Sequence, residues 1–431
     1  MRKKTITSIF IASLLLMGIL FSFINKHVDE ITLFKPDVDN AGLKLQTGFG
    51  ANKIADNLGK ARHLIVTKDG SIYIKLMKVV NGKGILFLQD KDKDGKYEVQ
   101  SSFGDFGGTG ITIKDGYLYA SSDKEVFRYK LDETEKVIDP SKPEKIITGL
   151  VAGRQHQTKS IVLDNDNNIY VNIGSPSNSC QENDRGLESK GKIGCPILDS
   201  AGGIWQFKAN KLNQTYVEGV RYATGLRNVM GLDWNTQNNT LFVMQHGRDN
   251  LSSSWPKFYN NKQSAELPAE TMYMIKKGDN AGWPYIYYDP IQNKKMLAPE
   301  YGGDGKKEGS KDYIDPVVAF PAHMAPNGLL FYTGSMFPDR YKQGAFVAFH
   351  GSWNRAPEKQ AGYFVVFVPF KDGKPAGKWE VFADGFSGMN EVMVPREAQH
   401  RPCGLAQGPD GSLFVTDDVK GSVYRIGYTK K

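Results

Sequence analysis

One histidine in the chain stands where a proton acceptor would be useful. His156 lies in the polar segment 154–160, directly before an apolar run at residues 161–163 that reads as a strand. Imidazole changes charge near neutral pH, so a histidine where a strand meets the loops can take a proton from a hydroxyl group that is being oxidised. The sequence therefore predicts His156 as a general base, with a purely structural histidine as the alternative.

A second segment pairs a cation with a neutral amide. Arg227 and Asn228 are adjacent within residues 224–234, and segments 246–249 and 278–284 follow closely. A guanidinium fork beside an amide suits an oxygen atom that gains negative charge during a reaction. The alternative is an arginine–asparagine pair that only ties a loop. Gly247 in the next segment permits a tight backbone with exposed carbonyl groups, which are suitable ligands for calcium.

The cysteines and the N-terminus indicate export. The chain has three cysteines, Cys180, Cys195 and Cys403, and the first two are near enough to close one loop in an oxidising compartment. Basic residues 2–4 precede an apolar run at about residues 9–24, which is the layout of an export signal. We expect residues 1–30 to be a signal peptide or an uncleaved inner-membrane anchor, and residues 31–431 to be periplasmic or at the cell surface.

A turn followed by a short strand recurs along residues 31–431. In each copy, Asp, Asn or Gly residues precede a few β-branched or aromatic residues. The six copies are residues 69–73, 115–119, 166–170, 238–242, 344–349 and 410–414. Uneven spacing indicates insertions in the later copies. The sequence predicts an all-β, six-bladed β-propeller over residues 31–431, with ordinary hairpins in a sandwich or two β-domains as the alternative.

Charge does not point to a nucleic-acid partner. The formal net charge is +8, but the lysines are scattered and neither a basic recognition helix nor an aromatic RNA motif is found. A small anionic ligand accounts for local arginines equally well. We therefore expect a small-molecule ligand at the mouth of the propeller, where loops collect.

Several motifs together match a known family. The chain resembles the soluble quinoprotein glucose/sorbosone dehydrogenases, six-bladed propellers that use pyrroloquinoline quinone (PQQ) and calcium. The resemblance runs from about residue 48 to 428 and is closer to the sorbosone branch. It rests on His156-Gln157, Gly225-Leu226-Arg227-Asn228, Gly282-Trp283-Pro284, Ala325-Pro326-Asn327-Gly328-Leu329, Phe349-His350-Gly351-Ser352-Trp353-Asn354-Arg355 and Arg401-Pro402-Cys403-Gly404-Leu405.

The resemblance implies a role for each matching residue. His156 would take the sugar hydroxyl proton while hydride passes to the quinone, and Arg227 with Asn228 would stabilise the developing charge. Calcium would be held by the main-chain carbonyls of Gly247 and Arg248, and a planar tricarboxylate needs cations and a flat surface. The implied cofactor-binding residues are Arg227, Asn228, Arg248, Trp353, Asn354, Arg355 and Arg401.

Three positions depart from the family pattern. Ser175 replaces the aspartate that orients the histidine in glucose-oxidising members, and Cys403 replaces a second arginine. Arg248 stands at a proline position and, by hypothesis, restores the lost positive charge. Serine cannot hold a rising imidazolium charge as a carboxylate does, so the strength of the base is at issue.

The sequence thus predicts PQQ-dependent oxidation of an aldose or a sorbosone-like sugar aldehyde. The partners would be the sugar and an external electron acceptor. Two alternatives stay open: a catalytically silent propeller that binds sugars or another protein, and a calcium-dependent lactonase on the same architecture.

Overall fold

A computed structural model describes residues 34–430. The expected signal peptide or anchor at residues 1–30 lies outside the described residues. Between residues 34 and 430, no helix is both long and apolar enough to cross a membrane.

The described chain folds into six mainly antiparallel sheets arranged as the blades of a propeller. The strands of each blade are given from the inner strand outwards. Blade 1 has Ala61–Val66, Ile72–Val80, Lys83–Gln89 and Glu98–Phe103, and blade 2 has Ile111–Lys114, Tyr117–Ser121, Val126–Lys130, Glu144–Thr148 and Gln214–Thr215. Blade 3 has Ile161–Leu163, Asn168–Ile173, Gly203–Lys208, Val220–Thr224 and Asp279–Asn280, and blade 4 has Val229–Asn235, Thr240–Gln245, Glu270–Ile275 and Val318–Phe320. Blade 5 has Pro326–Phe331, Ala345–Phe349, Phe364–Val368, Glu380–Asp384 and Lys44–Leu45, and blade 6 has Pro402–Gln407, Leu413–Asp417, Val423–Tyr428 and Phe49–Ala55.

The ring closes by joining the two ends of the described chain. Phe49–Ala55, from the N-terminal side, is the outermost strand of blade 6 and pairs antiparallel with Val423–Tyr428. Phe49 also packs its ring against Phe337 and Phe382, each with ring centroids 4.8 Å away. Blade 6 therefore combines strands from the N-terminal and C-terminal sides of the described residues, which closes the ring.

The six predicted turns each lead into the second strand of a blade. For example, the turn at Asp69-Gly70 joins the inner and second strands of blade 1, and Asp410-Gly411 does so in blade 6. Gly70 and Gly411 both have positive φ angles, of 87° in each, which a glycine adopts without strain. The prediction of a six-bladed all-β propeller is confirmed.

Insertions are concentrated on the opposite face from these turns. Because strands alternate in direction, the connections from second to third strand and from one blade to the next share that face, which we call the upper face. It carries the α-helices Leu251–Ser254 and Asn261–Glu266. The remaining short elements are the hairpins Ile286–Asp289 with Lys294–Leu297 and Phe370–Lys371 with Lys374–Pro375, and the 3₁₀ turns Asn40–Gly42, Pro196–Asp199, Tyr216–Glu218, Pro299–Tyr301, Asp339–Tyr341 and Pro395–Glu397.

Candidate active site

A cavity of about 380 Å³ opens on the upper face, among the loops of blades 3, 4 and 5. This volume lies in the range typical of small-molecule sites. Its lining comes from seven separate stretches of chain, which the propeller fold brings together. The lining residues are Gln155, His156, Arg185, Arg227, His246, Gly247, Asp249, Glu270, His323, Ala325, Trp353 and Asn354.

His156 is held in the cavity wall by the main chain. Its Nδ1 lies 2.7 Å from the carbonyl oxygen of Ser175. A carbonyl can only accept, so Nδ1 carries the proton and the lone pair of the neutral ring is on Nε2. Burial and the positive charge of Arg227 lower the pKa of His156 to about 3. The ring is therefore neutral near pH 7, in the state that can accept a proton.

The backbone around His156 is tightly constrained. His156 has a φ angle of 51°, in the left-handed region that L-residues rarely adopt. At Gly174, a Cβ atom would lie 2.6 Å from the Cβ of His156 and 3.0 Å from Oδ1 of Asn228. Glycine at 174 therefore allows the histidine and the asparagine to approach one another.

Arg227 is buried, and most of its guanidinium N–H groups donate hydrogen bonds to the protein. Nε donates to the carbonyl of Asn178 at 3.2 Å, and Nη1 donates to the carbonyl of Gly247 at 2.8 Å. Nη2 donates to Asn178 Oδ1 at 3.0 Å and to Asp249 Oδ2 at 2.8 Å. Arginine has five N–H donors, so these four contacts leave one on Nη1 for a ligand. Arg227 is thus both fixed in place and able to bind one more oxygen.

Two amide oxygens at the site are buried without a hydrogen-bond partner among the described residues. They are Oδ1 of Asn228 and Oδ1 of Asn354. Asn354 lines the cavity, whereas Oδ1 of Asn228 lies beside Gly174, next to His156. Buried acceptors without a partner are costly, and they are commonly satisfied by water or a ligand.

Asp249 connects the loops around the cavity and was not assigned a role from the sequence. Its carboxylate accepts from Arg227 at 2.8 Å, from Arg185 at 3.0 Å and from Nδ2 of Asn354 at 2.7 Å. These cationic and polar partners keep the pKa of Asp249 well below its usual range. Asp249 is part of the segment 246–249 that was singled out from the sequence. Its role could not be predicted, because its partners are 22 to 105 positions away in sequence.

The remaining lining residues set the charge of the cavity. Burial raises the pKa of Glu270 to about 8, even though its carboxyl group accepts from the main-chain N–H groups of Gly247 at 2.9 Å and Ala325 at 3.2 Å. Burial lowers the pKa values of His246, to about 3, and of His323. The lining also carries two guanidinium groups, Arg185 and Arg227, beside the carboxylate of Asp249. Two guanidinium groups at one cavity favour an anionic ligand.

Three predicted cofactor-binding arginines do not line the cavity. Arg248 forms a buried ion pair with Glu300 at 2.5 Å, which draws its side chain behind the cavity wall. Arg355 is also buried, and it donates to the carbonyl of Ala322 at 3.1 Å and to Glu266 at 2.6 Å.

Arg401 is likewise bound to neighbouring loops. It donates to the carbonyls of Pro395 at 2.8 Å and Gly351 at 3.3 Å. In these positions Arg248, Arg355 and Arg401 brace upper-face loops, and their contacts with a cofactor stay predictions. Among the other predicted residues, Trp353 and Asn354 line the cavity, and Trp353 is 57% exposed at its rim.

The structure shows what Ser175 and Cys403, which differ from the family pattern, contact. The side chain of Ser175 donates to the carbonyl of Ser177 at 2.9 Å, so only its main chain orients His156. Cys403 is a buried thiol, with Nη1 of Arg62 at 3.9 Å from its sulfur. Burial raises the pKa of Cys403 to about 12, so it remains protonated.

Cys180 and Cys195 form a disulfide bond in the structure. The bond closes a loop between the second and third strands of blade 3. Arg185 lies in this loop and reaches the cavity, where it also donates to Gln155 Oε1 at 3.0 Å. The covalent loop thus supplies one of the two cations of the cavity.

These features define the chain as a six-bladed propeller with a loop-built cavity on its upper face. The chain belongs to the TrAA12-like family, whose model matches residues 43–429.

Two curated relatives span most of the chain. An uncharacterised protein of Borreliella burgdorferi is 26% identical over 415 residues, covering 94% of this chain and 95% of the relative. A protein of Hypocrea jecorina named as a pyrroloquinoline quinone-dependent sugar dehydrogenase is 22% identical over 340 residues, covering 74% of this chain and 73% of the relative.

A solved structure shares the fold. It is a calcium structure of a family AA12 carbohydrate-active enzyme from Trichoderma reesei, with a TM-score of 0.71 and 19% identity. The superposition covers 90% of this chain and 97% of that enzyme. At this identity the similarity establishes the fold alone.

Proposed function

We propose that this protein oxidises a sugar with PQQ as the hydride acceptor, and that His156 is the general base. The observation that carries the proposal is the state of His156: a neutral imidazole whose Nδ1 is held by the Ser175 carbonyl, which leaves Nε2 as the accepting nitrogen in the cavity wall. The H. jecorina relative with a PQQ-dependent sugar dehydrogenase name supports the same chemistry. The substrate class we propose is an aldose or a sorbosone-like sugar aldehyde.

The residues of the cavity fit a planar anionic quinone. The lining contains the guanidinium groups of Arg185 and Arg227, and Arg227 keeps one N–H for a ligand oxygen. The unpartnered Oδ1 of Asn354 could accept from a sugar hydroxyl group. Trp353 offers an exposed flat face at the rim. When bound, PQQ would supply the two-electron acceptor that the side chains lack.

The chain's own residues would handle the proton and the charge. His156 would accept the hydroxyl proton at Nε2, while its Nδ1–H stays on the Ser175 carbonyl and keeps the ring from rotating. Arg227 would direct its remaining N–H at an oxygen that becomes negative, in a buried setting where such a contact is strong. Asn228, whose Oδ1 lies beside Gly174 next to the histidine, would supply a second polar group.

For calcium, the proposed ligands are the main-chain carbonyls of Gly247 and Arg248. Gly247 lines the cavity, and its carbonyl already accepts from Arg227 at 2.8 Å. A calcium ion there would share this oxygen with a guanidinium, so anionic oxygens from the bound quinone would be needed to offset the repulsion. We therefore expect calcium and PQQ to bind together, each raising the affinity of the other.

The proposal is tested by titrating PQQ into the protein with calcium and then measuring dye-linked oxidation of a panel of aldoses and sorbosone. We expect saturable binding, and a loss of roughly 10²- to 10⁴-fold in kcat for His156→Gln. His400→Gln is the matched control, because His400 contacts Asp417 and does not line the cavity. Absence of PQQ binding, or equal activity of His156→Gln and wild type, would overturn the proposal.

We further propose that the protein is exported and passes electrons to an external acceptor. The Cys180–Cys195 disulfide supports an oxidising compartment, since disulfides rarely persist in the cytosol. Cell fractionation checks this point, with the protein expected in the periplasmic, surface or inner-membrane fraction. Recovery in the cytosol with Cys180 and Cys195 reduced would contradict it.

A further inference from the structure

Asp249 is the point at which three neighbouring loops of the cavity meet. It follows the second strand of blade 4, and its Oδ2 accepts from Arg227, which precedes blade 4, and from Arg185, in the loop of blade 3. Its Oδ1 accepts from Asn354, in the loop of blade 5. The main chain of Asp249 is fixed as well, because its N–H donates to Asn178 Oδ1 at 2.9 Å.

The arrangement places two guanidinium groups on a single carboxylate oxygen. Arg227 Nη2 and Arg185 Nη2 lie 2.8 Å and 3.0 Å from the same Oδ2. Arg227 is 3% exposed and Asp249 is 7% exposed, whereas the side chain of Arg185 is 29% exposed, so the Arg227–Asp249 contact is the one that water screens poorly. Without the carboxylate, the two arginines would repel each other and Arg227 would lose its charged partner.

Asn354 depends on the same carboxylate. Its Nδ2 donates to Asp249 Oδ1 at 2.7 Å, which orients its Oδ1 as the buried acceptor without a partner. An amide that loses this contact can rotate and exchange its oxygen and nitrogen atoms. One side chain therefore sets the orientation of two groups that line the cavity.

We propose that Asp249 is a positioning residue for the oxidation: it holds Arg227 in position to donate to a quinone or sugar oxygen, and Asn354 in position to accept from a sugar hydroxyl group. This inference rests on the proposed function. Asp249 acts through Arg227 and Asn354 rather than by transferring a proton. Its removal should therefore cost turnover more than it costs binding of an anionic cofactor, which a lost negative charge would favour.

The test compares Asp249→Asn with Asp164→Asn. Asp164 is a buried carboxylate, 2% exposed, that accepts from Asn168 and Tyr170 in a turn on the opposite face. In protein loaded with PQQ and calcium, kcat should fall about 10- to 100-fold in Asp249→Asn, the usual cost of a lost hydrogen bond to a charged group. We expect Asp164→Asn to keep its kcat even if its melting temperature falls.

A mutant cycle separates positioning from a general structural role. If Asp249 acts through Arg227 and Asn354, then Asp249→Asn should change kcat less than twofold in a background that carries both Arg227→Met and Asn354→Ala. A further tenfold loss in that background would overturn the proposal. So would an unchanged kcat in the single variant.

A second readout needs neither PQQ nor activity. Phenylglyoxal labelling, mapped by mass spectrometry, should leave Arg227 unmodified in wild type and modify it in Asp249→Asn, while labelling of Arg401 stays the same. If wild type fails to bind PQQ, the proposed function fails but this readout still tests the positioning of Arg227. Protection of Arg227 in both proteins, or an equal rise at Arg401, would overturn the inference.

Discussion

The contact that orients His156 comes from a main-chain carbonyl rather than from the side chain at position 175. Ser175→Ala would remove only the bonds between Ser175 Oγ and Ser177, which lie at 2.9 Å and 3.1 Å. We predict a loss of stability of about 1 kcal/mol and a kcat within threefold of wild type. Thermal unfolding and steady-state oxidation of the sugar check this. A hundredfold loss of kcat would show that the hydroxyl group, and not the carbonyl, supports the base.

The protonation of His156 gives a second prediction at this scale. In ligand-free protein its ring should stay neutral as the pH falls from 7 to 4, because burial and Arg227 lower its pKa to about 3. The unfolded chain takes up this proton near pH 6.5, so His156 makes the folded state less stable as the pH falls below that value. Titration of the imidazole resonances by NMR measures the pKa of His156 in the folded protein. Protonation of the ring near pH 6.5 would contradict the prediction.

Individual residues show which parts of the site could be predicted from the sequence. His156 and Arg227 were predicted because their residue types and positions suit the chemistry, and Trp353 was predicted from the family resemblance; all three line the cavity. Asp249 lies in the same short segment as Gly247, but its role depends on contacts with residues of other blades. Arg185 carries no local signal, since it reaches the cavity only through the folded loop of blade 3.

At the scale of elements, the disulfide loop of blade 3 should couple stability to the cavity. The bond closes a loop over a sequence separation of 15, for which the usual contribution is about 3 kcal/mol. We predict that the double variant Cys180→Ser/Cys195→Ser has a lower melting temperature. It should also bind PQQ more weakly, because the disulfide-closed loop carries Arg185 and holds it in contact with Asp249. Calorimetry of unfolding and of PQQ binding checks both effects.

A control separates the loop from the rest of the fold. Cys403→Ser removes a thiol on the inner strand of blade 6, outside the cavity lining. It should leave PQQ affinity unchanged. Labelling of unreduced, unfolded wild-type protein should find one free thiol. Three free thiols would contradict the disulfide.

The strands differ in how well local sequence predicts them. The second strand of every blade was found from its preceding turn, because Asp, Asn and Gly at a tight turn are a local signal. The short outer strands, such as Gln214–Thr215 and Asp279–Asn280, have two residues each and pair parallel with distant strands. The positions of these strands depend on how an insertion folds back against a blade. A local sequence pattern does not predict that.

For the whole molecule, stability should depend on the strand that closes the ring. Phe49 begins that strand and packs between the aromatic side chains of blades 5 and 6. We predict that Phe49→Ala lowers the free energy of unfolding by about 3–5 kcal/mol. Ile138→Ala, at a side chain 58% exposed, should change it by about 0.5 kcal/mol or less. Equal effects would contradict a closure role for Phe49.

The most direct test of the account is a single turnover of the loaded protein. PQQ bound with calcium would be mixed anaerobically with the sugar that the panel selects, and reduction of the quinone followed by its absorbance. We predict rapid, stoichiometric reduction in wild type, and reduction slowed by roughly 10²-fold or more in His156→Gln with PQQ affinity retained. Equally fast reduction in both proteins would show that His156 is not the base. No reduction in wild type with bound PQQ would contradict the proposal that this sugar transfers hydride to the quinone.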